Sequence, residues 1–228
     1  MIPGRFGEFL EPRRGNKTYA NNTEKRIALC KRNFLQGVID FSVMFITLVT
    51  PYRNSFDECR ASWRAMDKAL ARFRKCFKRK GLEGYFYSLE ATSEGCCHAH
   101  ILVKWDSRLK VNFRNGKYYL ADEVLLKSFT GKWHQAWNKV SDRTLNNNAI
   151  SIRVCPNLFE AEVVFDYVTK HLGRFSNITN ALHRAKKNDF KDNDIKKLLT
   201  NFWAIRFQGI KLFGCSRIFG QKSEADLL

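Results

Sequence analysis

The sequence predicts an α+β fold in which an antiparallel sheet carries helices on one face. Residues 83–105 alternate between apolar and polar side chains, as expected of strands with one side against a core. Residues 56–77 instead place apolar side chains at steps of three and four, as expected of a helix. With the later segments, the order strand, helix, strand, strand, helix, strand, helix indicates a split β-α-β, ferredoxin-like core.

The first strand and the first helix of this core are predicted from adjacent segments. Residues 41–50 are rich in Val, Ile, Phe and Thr, and Pro51 closes the strand. The helix follows, with a core stripe of Phe56, Cys59, Trp63, Met66, Leu70, Phe73 and Phe77. Basic residues fall almost opposite this stripe: Arg60, Arg64, Lys68, Arg72, Lys75 and Arg79. Such a row is usually a solvated face, with phosphate contact as a secondary use.

Two histidines make the hairpin at residues 83–105 the most informative segment. His98 and His100 share one face of the second strand, and the other face is apolar: Ala99, Ile101, Val103 and Trp105. If the loop has an odd number of residues, Glu90 lies opposite one histidine on the same face. A two-residue loop would place Glu90 on the wrong side. With the odd loop, the hairpin presents a His-His-carboxylate site suited to a metal ion.

The later segments complete the predicted core and add a second group of candidate residues. They are a helix at 121–140, a polar connector at 141–148, a strand at 149–154 and a helix at 158–173, stopped by Gly173. On that last helix, Lys170, His171 and Arg174 follow Tyr167 at offsets of three, four and seven. The tyrosine hydroxyl is therefore expected among cations that attract phosphate.

The charge of the chain indicates its class of partner. There are 40 basic and 22 acidic residues, a net charge of +18, which favours phosphate backbones or anionic membrane surfaces. The best apolar run, residues 38–50, is too short and too polar to span a membrane, so no membrane partner is expected. Seven cysteines without framework spacing fit a reducing compartment. We therefore expect a cytoplasmic protein that binds nucleic acid.

Three segments, in this order, are similar to the motifs of the HUH endonucleases. They are Phe45-Ile46-Thr47-Leu48-Val49-Thr50 on the first strand, His98-Ala99-His100 on a later strand and Tyr167-Val168-Thr169-Lys170 on a late helix. More narrowly, the chain resembles the single-tyrosine rolling-circle replication initiators of plasmids and single-stranded phages. The tyrosine follows the histidine pair, whereas relaxases of the same superfamily place it before. The resemblance covers residues 41–174.

This resemblance implies a site and an activity. His98 and His100 would hold a divalent metal, Mn²⁺ or Mg²⁺, with Glu90 as a third ligand. Tyr167 would attack single-stranded DNA or an origin hairpin and form a 5′-phosphotyrosine, beside Lys170. His171 and Arg174 would contact the DNA. The family often has a second aromatic residue or tyrosine where this chain has His171, so a two-tyrosine mechanism is not expected.

The resemblance and the local composition also indicate partners and domain boundaries. The chain has no visible phosphate-binding ATPase loop, so a separate helicase and DNA polymerase would be needed for replication. Residues 1–40 are interpreted as a basic, irregular lead-in and residues 41–175 as the endonuclease core. Residues 176–228 are interpreted as a basic extension that packs on the core or binds DNA, with aromatic residues at Trp203, Phe207, Phe213 and Phe219.

Three alternatives stay open at this stage. An HUH transposase that cuts and rejoins hairpin ends fits the same motifs. A non-catalytic RNA-recognition-like module fits the same fold, with Tyr85, Phe86 and Tyr87 stacking on bases. Structural zinc at Cys96 and Cys97 is less favoured, because no second cysteine pair has finger or ribbon spacing.

Overall fold

The computed structural model describes residues 16–52, 56–77, 81–146, 148–170, 172, 200–201, 204 and 210–220. Its helices are α1 (Asn16–Leu35), α2 (Phe56–Phe73), α3 (Glu123–Asn138), α4 (Leu158–Thr169) and α5 (Arg217–Gly220). A 3₁₀ turn, Arg74–Phe77, follows α2. The strands are β1 (Val43–Leu48), β2 (Leu82–Ala91), β3 (Cys97–Trp105), β4 (Val111–Arg114), β5 (Lys117–Leu120), β6 (Ile150–Cys155) and β7 (Phe213–Cys215).

These strands form a seven-stranded sheet in the order β4-β5-β6-β1-β3-β2-β7. Every pairing between the described strands is antiparallel. The predicted α+β class, an antiparallel sheet with helices packed on it, is therefore confirmed. The strands predicted at 41–50 and 149–154 are β1 and β6, at the centre of the sheet.

Both faces of the sheet carry helices, so the prediction that the helices lie on one face only is wrong. On one face, Phe77 lies 5.1 Å from Tyr85 between ring centroids, and this contact joins β2 to the layer of α2 and α3. The next residue of β2, Phe86, points to the opposite face, where its ring lies 4.6 Å from that of Phe165 on α4. Glu90 shares this second face with Phe86, because it lies four positions further along the same strand and side chains alternate between the faces. The candidate metal ligands thus lie on the face opposite α2 and α3, beside α4.

The start of the chain differs from the predicted irregular lead-in, because residues 16–35 form the helix α1. Two of its buried apolar side chains, Cys30 and Phe34, are spaced four residues apart. The Phe34 ring contacts Phe165 at 5.7 Å and Phe219 at 5.1 Å between centroids. The polar composition of the segment concealed this narrow apolar stripe. Helix α1 therefore packs on the core instead of standing apart from it.

Three short strands had no sequence prediction. Strands β4 and β5 form a hairpin through Asn115 and Gly116, both with positive φ, as a tight type I′ turn requires. Strand β7 extends the sheet beside β2, where a Cβ on Gly214 would come within 2.6 Å of the Tyr87 ring. The described part of the C-terminal extension thus packs on the core. Trp203 and Phe207 lie outside the described residues.

Candidate metal centre

Glu90, His98 and His100 are brought together by the pairing of β2 with β3. Ala91 pairs with Cys97, so residues 92–96 form the loop, an odd number. Glu90 consequently lies directly opposite His98, as the odd-loop register predicts. One strand further into the sheet, β1 places Thr47 opposite His100. The three candidate ligands therefore lie on adjacent positions of two neighbouring interior strands.

The distances between the candidate ligand atoms fit a metal ion. The two histidine Nε2 atoms are 2.9 Å apart, and Glu90 Oε2 lies 3.7 Å from His98 Nε2 and 3.5 Å from His100 Nε2. A circle through the corners of this triangle has a radius of about 2.0 Å, close to ordinary metal–nitrogen and metal–oxygen bond lengths. In the described part of the chain, no other group of three or more His, Cys, Asp or Glu residues has such geometry. This group can hold a metal ion.

The burial of these three side chains also favours a bound metal ion. Glu90 and His100 are each 4% exposed, and the His98 side chain is 12% exposed. A carboxylate this deeply buried needs compensating positive charge or hydrogen bonds, because leaving water is costly for an ion. A bound cation supplies that charge directly, and the slightly greater exposure of His98 leaves a path from solvent.

His100 is oriented by contacts on its other side. Its Nδ1 lies 3.3 Å from Thr47 Oγ1, and the Phe45 ring stacks on the imidazole at 5.3 Å between centroids. When Nδ1 carries the proton and donates to Thr47 Oγ1, Nε2 keeps its lone pair and points towards Glu90 and His98. The Arg153 guanidinium lies over the Phe45 ring, 4.9 Å from its centroid. Thr47 and Phe45 therefore fix a metal-binding orientation of the imidazole.

Tyr167 lies beside this group although it is distant in sequence. Its ring centroid is 5.7 Å from that of His100, and the residue is 46% exposed. Lys170, the C-cap of α4, places Nζ 5.3 Å from the centroid of the Tyr167 ring. The end of α4 thus brings a phenol and an ammonium group to the edge of the candidate metal centre. A role for Tyr167 as a nucleophile beside a bound metal ion requires this proximity.

Helix α4 also carries acidic side chains, and two predicted DNA contacts follow it in the sequence. His171 and Arg174 lie outside the described residues. Glu162 and Asp166 contact Lys31 of α1, at 2.9 Å and 2.7 Å from its Nζ. Burial alone would lower the pKa of Lys31, but hydrogen bonds from its ammonium to Asp166 and Glu162 raise it overall. These two carboxylates therefore anchor α4 to α1.

The structure adds three residues to the site that the sequence interpretation did not single out for a role: Phe45, Thr47 and Arg153. Thr47 carried a signal, since it is the one polar residue in the apolar strand Val43–Leu48. Arg153 carried none, because its position over Phe45 depends on the pairing of β1 with β6.

The cysteines do not form a metal group with these ligands. Cys97 is fully buried and neighbours Ala99 on the apolar face of β3. Cys96 instead places its Sγ 3.2 Å from Cys59 Sγ. Structural zinc at Cys96 and Cys97 thus gains no support from the geometry.

Comparisons of the chain with protein-family models, curated proteins and solved structures found no match. Among the described helices, none has the length and apolar character needed to cross a membrane.

Proposed function

We propose that this protein is a metal-dependent endonuclease that nicks and joins single-stranded DNA through Tyr167, as the HUH replication initiators do. The observation that carries the proposal is the contact between the Tyr167 ring and His100, a ligand of the candidate metal centre. A phenol next to a metal centre, on a protein with a net charge of +18, favours phosphate chemistry over the oxygen chemistry that a His-His-carboxylate group also serves.

In the proposed reaction, Tyr167 Oη attacks the scissile phosphorus in line with the leaving oxygen. The new bond joins the tyrosine oxygen to phosphorus, and the bond from phosphorus to the 3′ oxygen breaks. The phenol proton passes to solvent, and the leaving 3′ oxygen takes up a proton. The products are a 5′-phosphotyrosine and a free 3′-hydroxyl, which can attack the adduct in reverse to rejoin the strand without ATP.

The chain's own residues have distinct tasks in this scheme. Glu90, His98 and His100 would hold Mn²⁺ or Mg²⁺, which withdraws charge from the phosphate. Lys170 neutralises the phosphate beside the nucleophile. Thr47 and Phe45 keep His100 in position. His171 and Arg174 are proposed DNA contacts.

The non-catalytic alternative fits the geometry less well. Its base-stacking residues would be Tyr85, Phe86 and Tyr87. Phe86 is fully buried against Phe165, and Tyr87 is 5% exposed beneath the Arg74 guanidinium. Tyr85 packs against Phe77. These rings serve the core instead of offering an aromatic surface to bases. The same site fits a transposase, so we propose replication initiation, with a separate helicase and polymerase, on the resemblance alone.

The test uses single-stranded oligonucleotides of randomised sequence, labelled at the 3′ end, with Mn²⁺. A 5′-phosphotyrosine keeps the 3′ label on the protein, so a labelled band should survive denaturation. Tyr167→Phe should abolish that band, whereas Tyr118→Phe, a matched change on β5, should retain it. The double variant His98→Ala/His100→Ala should also lose the band, as the unchanged protein should when a chelator removes Mn²⁺. A labelled band that is unchanged in Tyr167→Phe would remove the proposed nucleophile.

A further inference from the structure

The basic row of α2 borders two cavities on the side of α2 where α3 and the segment after it pack. Arg60, Arg64 and Lys68 border a cavity of about 390 Å³. A second cavity of about 330 Å³ follows, bordered by Arg72 of α2 and by Lys75 of the 3₁₀ turn. Lys132 of α3 and its C-cap residue Lys139 close this second cavity. The row therefore borders two neighbouring basic concavities, the second of which lies between α2 and α3. We name these seven cations and the two cavities the α2–α3 groove.

Most cations of the groove have no carboxylate partner in the part of the chain that the structure describes. Six of them have no carboxylate within 4 Å among the described residues: Arg60, Lys68, Arg72, Lys75, Lys132 and Lys139. By contrast, Lys31, Lys127 and Arg143 are all ion-paired. Asp57 is the acidic residue on the lining of the two cavities. Like charges in a concave, partly apolar setting raise the local potential, which favours an anionic ligand.

The shape of the groove indicates which anion fits. Four cations of α2 follow at intervals of four residues, about 6 Å along the helix axis: Arg60, Arg64, Lys68 and Arg72. Such a regular row suits a polymer that presents one negative charge per unit. A lipid surface is flat and would reach only the rims of the groove. The apolar floor formed by Phe73 and Ala136 is buried and offers no anchor for a membrane.

We propose that the α2–α3 groove binds the phosphate backbone of a DNA segment outside the cleavage site, such as the paired arm of a hairpin substrate. This inference rests on the proposed DNA substrate. Helices α2 and α3 pack on the sheet face opposite the metal centre, so the groove cannot hold the scissile phosphate. It acts as a second site that adds affinity, while Tyr167 and the metal ligands act on the single strand.

The test compares two charge-reversal variants that have the same net charge. The groove variant combines Lys68→Glu, Arg72→Glu and Lys132→Glu. The control combines Lys110→Glu, Lys127→Glu and Arg217→Glu, three exposed cations outside the groove. Binding of a labelled DNA hairpin with a single-stranded tail is followed by fluorescence anisotropy, with EDTA present and at several salt concentrations. A third variant with Gln at the groove positions, and unfolding temperatures for all proteins, exclude misfolding as the cause.

The groove variant should bind the hairpin at least about 10-fold more weakly than the control. The slope of log affinity against log salt should fall by about two to three units, since each lost phosphate contact removes about 0.9. Equal weakening of the two variants would overturn the inference, because net charge alone would then explain binding. The inference would also be overturned if the groove variant lost binding to anionic lipid vesicles but still bound the DNA hairpin. Both results come from binding measurements in which no nicking occurs. A failure of the proposed chemistry would instead be detected in the adduct assay with Tyr167→Phe.

Discussion

The candidate metal ligands and the candidate nucleophile meet in space, but the protein holds them in different ways. The ligands lie on the neighbouring interior strands β2 and β3, with Glu90 and His100 almost completely buried. Tyr167 lies near the end of α4, about half exposed, where Lys31 of α1 anchors the helix. The difference indicates a rigid, pre-formed cation site beside a nucleophile that solvent and substrate can reach. Changes to the two regions should therefore have different consequences.

The largest effect should follow the loss of the carboxylate at the metal centre. Glu90→Gln keeps the shape but removes the anionic ligand, so metal affinity should fall by more than about 100-fold, beyond the usual cost of losing a supporting contact. Nicking at limiting Mn²⁺ should fall with it. Titration calorimetry measures the affinity, and Glu162→Gln on α4 is the matched control. Wild-type metal affinity in Glu90→Gln would show that Glu90 is not a ligand.

Removing the cation beside the nucleophile should slow chemistry without changing metal affinity. Lys170→Met is expected to lower the single-turnover nicking rate by about 100-fold, the usual cost of losing one group that stabilises transition-state charge. Lys170→Arg should recover part of the rate, and Lys127→Met serves as the control. A loss of Mn²⁺ affinity equal to the loss of rate would contradict the separation of the two regions.

The support of His100 should have a smaller effect. Thr47→Val removes the hydroxyl beside Nδ1 and should weaken metal binding by about 10-fold, whereas Thr47→Ser should restore it. Ser151→Ala on β6, opposite Thr47, is the control. A metal affinity that is unchanged in Thr47→Val would reduce Thr47 to a packing role.

The smallest effect is expected where α1 meets β7, outside both regions. A hydrogen bond from the Cys30 thiol lowers the pKa of Cys215 to about 7, and Arg26 and Lys211 add to this effect. The Cys215 thiolate should therefore increase through pH 7, and its alkylation by iodoacetamide should be half-maximal near that pH. Burial raises the pKa of Cys155 to about 12, so Cys155 should stay unlabelled in the folded protein.

Cys30→Ala provides the control for that measurement. Without the thiol donor, the midpoint of Cys215 labelling should move towards an ordinary thiol value, about 8.5. Nicking should change little, because neither cysteine contacts the candidate site. A midpoint that stays near pH 7 in Cys30→Ala would show that the thiol contact does not control Cys215.

The two regions also differ in how far the sequence predicted them. Alternation in β2 and β3 placed His98 and His100 on one face, and an odd loop was enough to place Glu90 opposite. The approach of Tyr167 depends on how α4 packs across the sheet, through Phe165 on Phe86, and local periodicity cannot specify such a contact. The motif order supplied that expectation instead.

Other features were hidden for related reasons. Helix α1 has a narrow apolar stripe in a polar segment, and β7 has three residues, too few for a periodic pattern. The basic row of α2 and the helix at 121–140 were both visible in the sequence, but the packing of the two helices against each other was not. Only the packing of the two helices reveals that Lys132 and Lys139 close a groove over that row.

The most direct test of the account is to identify the residue that becomes linked to DNA. The protein is incubated with single-stranded oligonucleotides and Mn²⁺, digested with nuclease and protease, and analysed by peptide mass spectrometry. The account predicts a nucleotide attached through phosphate to Tyr167, in an amount that depends on Glu90, His98 and His100. A nucleotide attached to a different tyrosine, or a Tyr167 adduct that forms equally without metal, would contradict it.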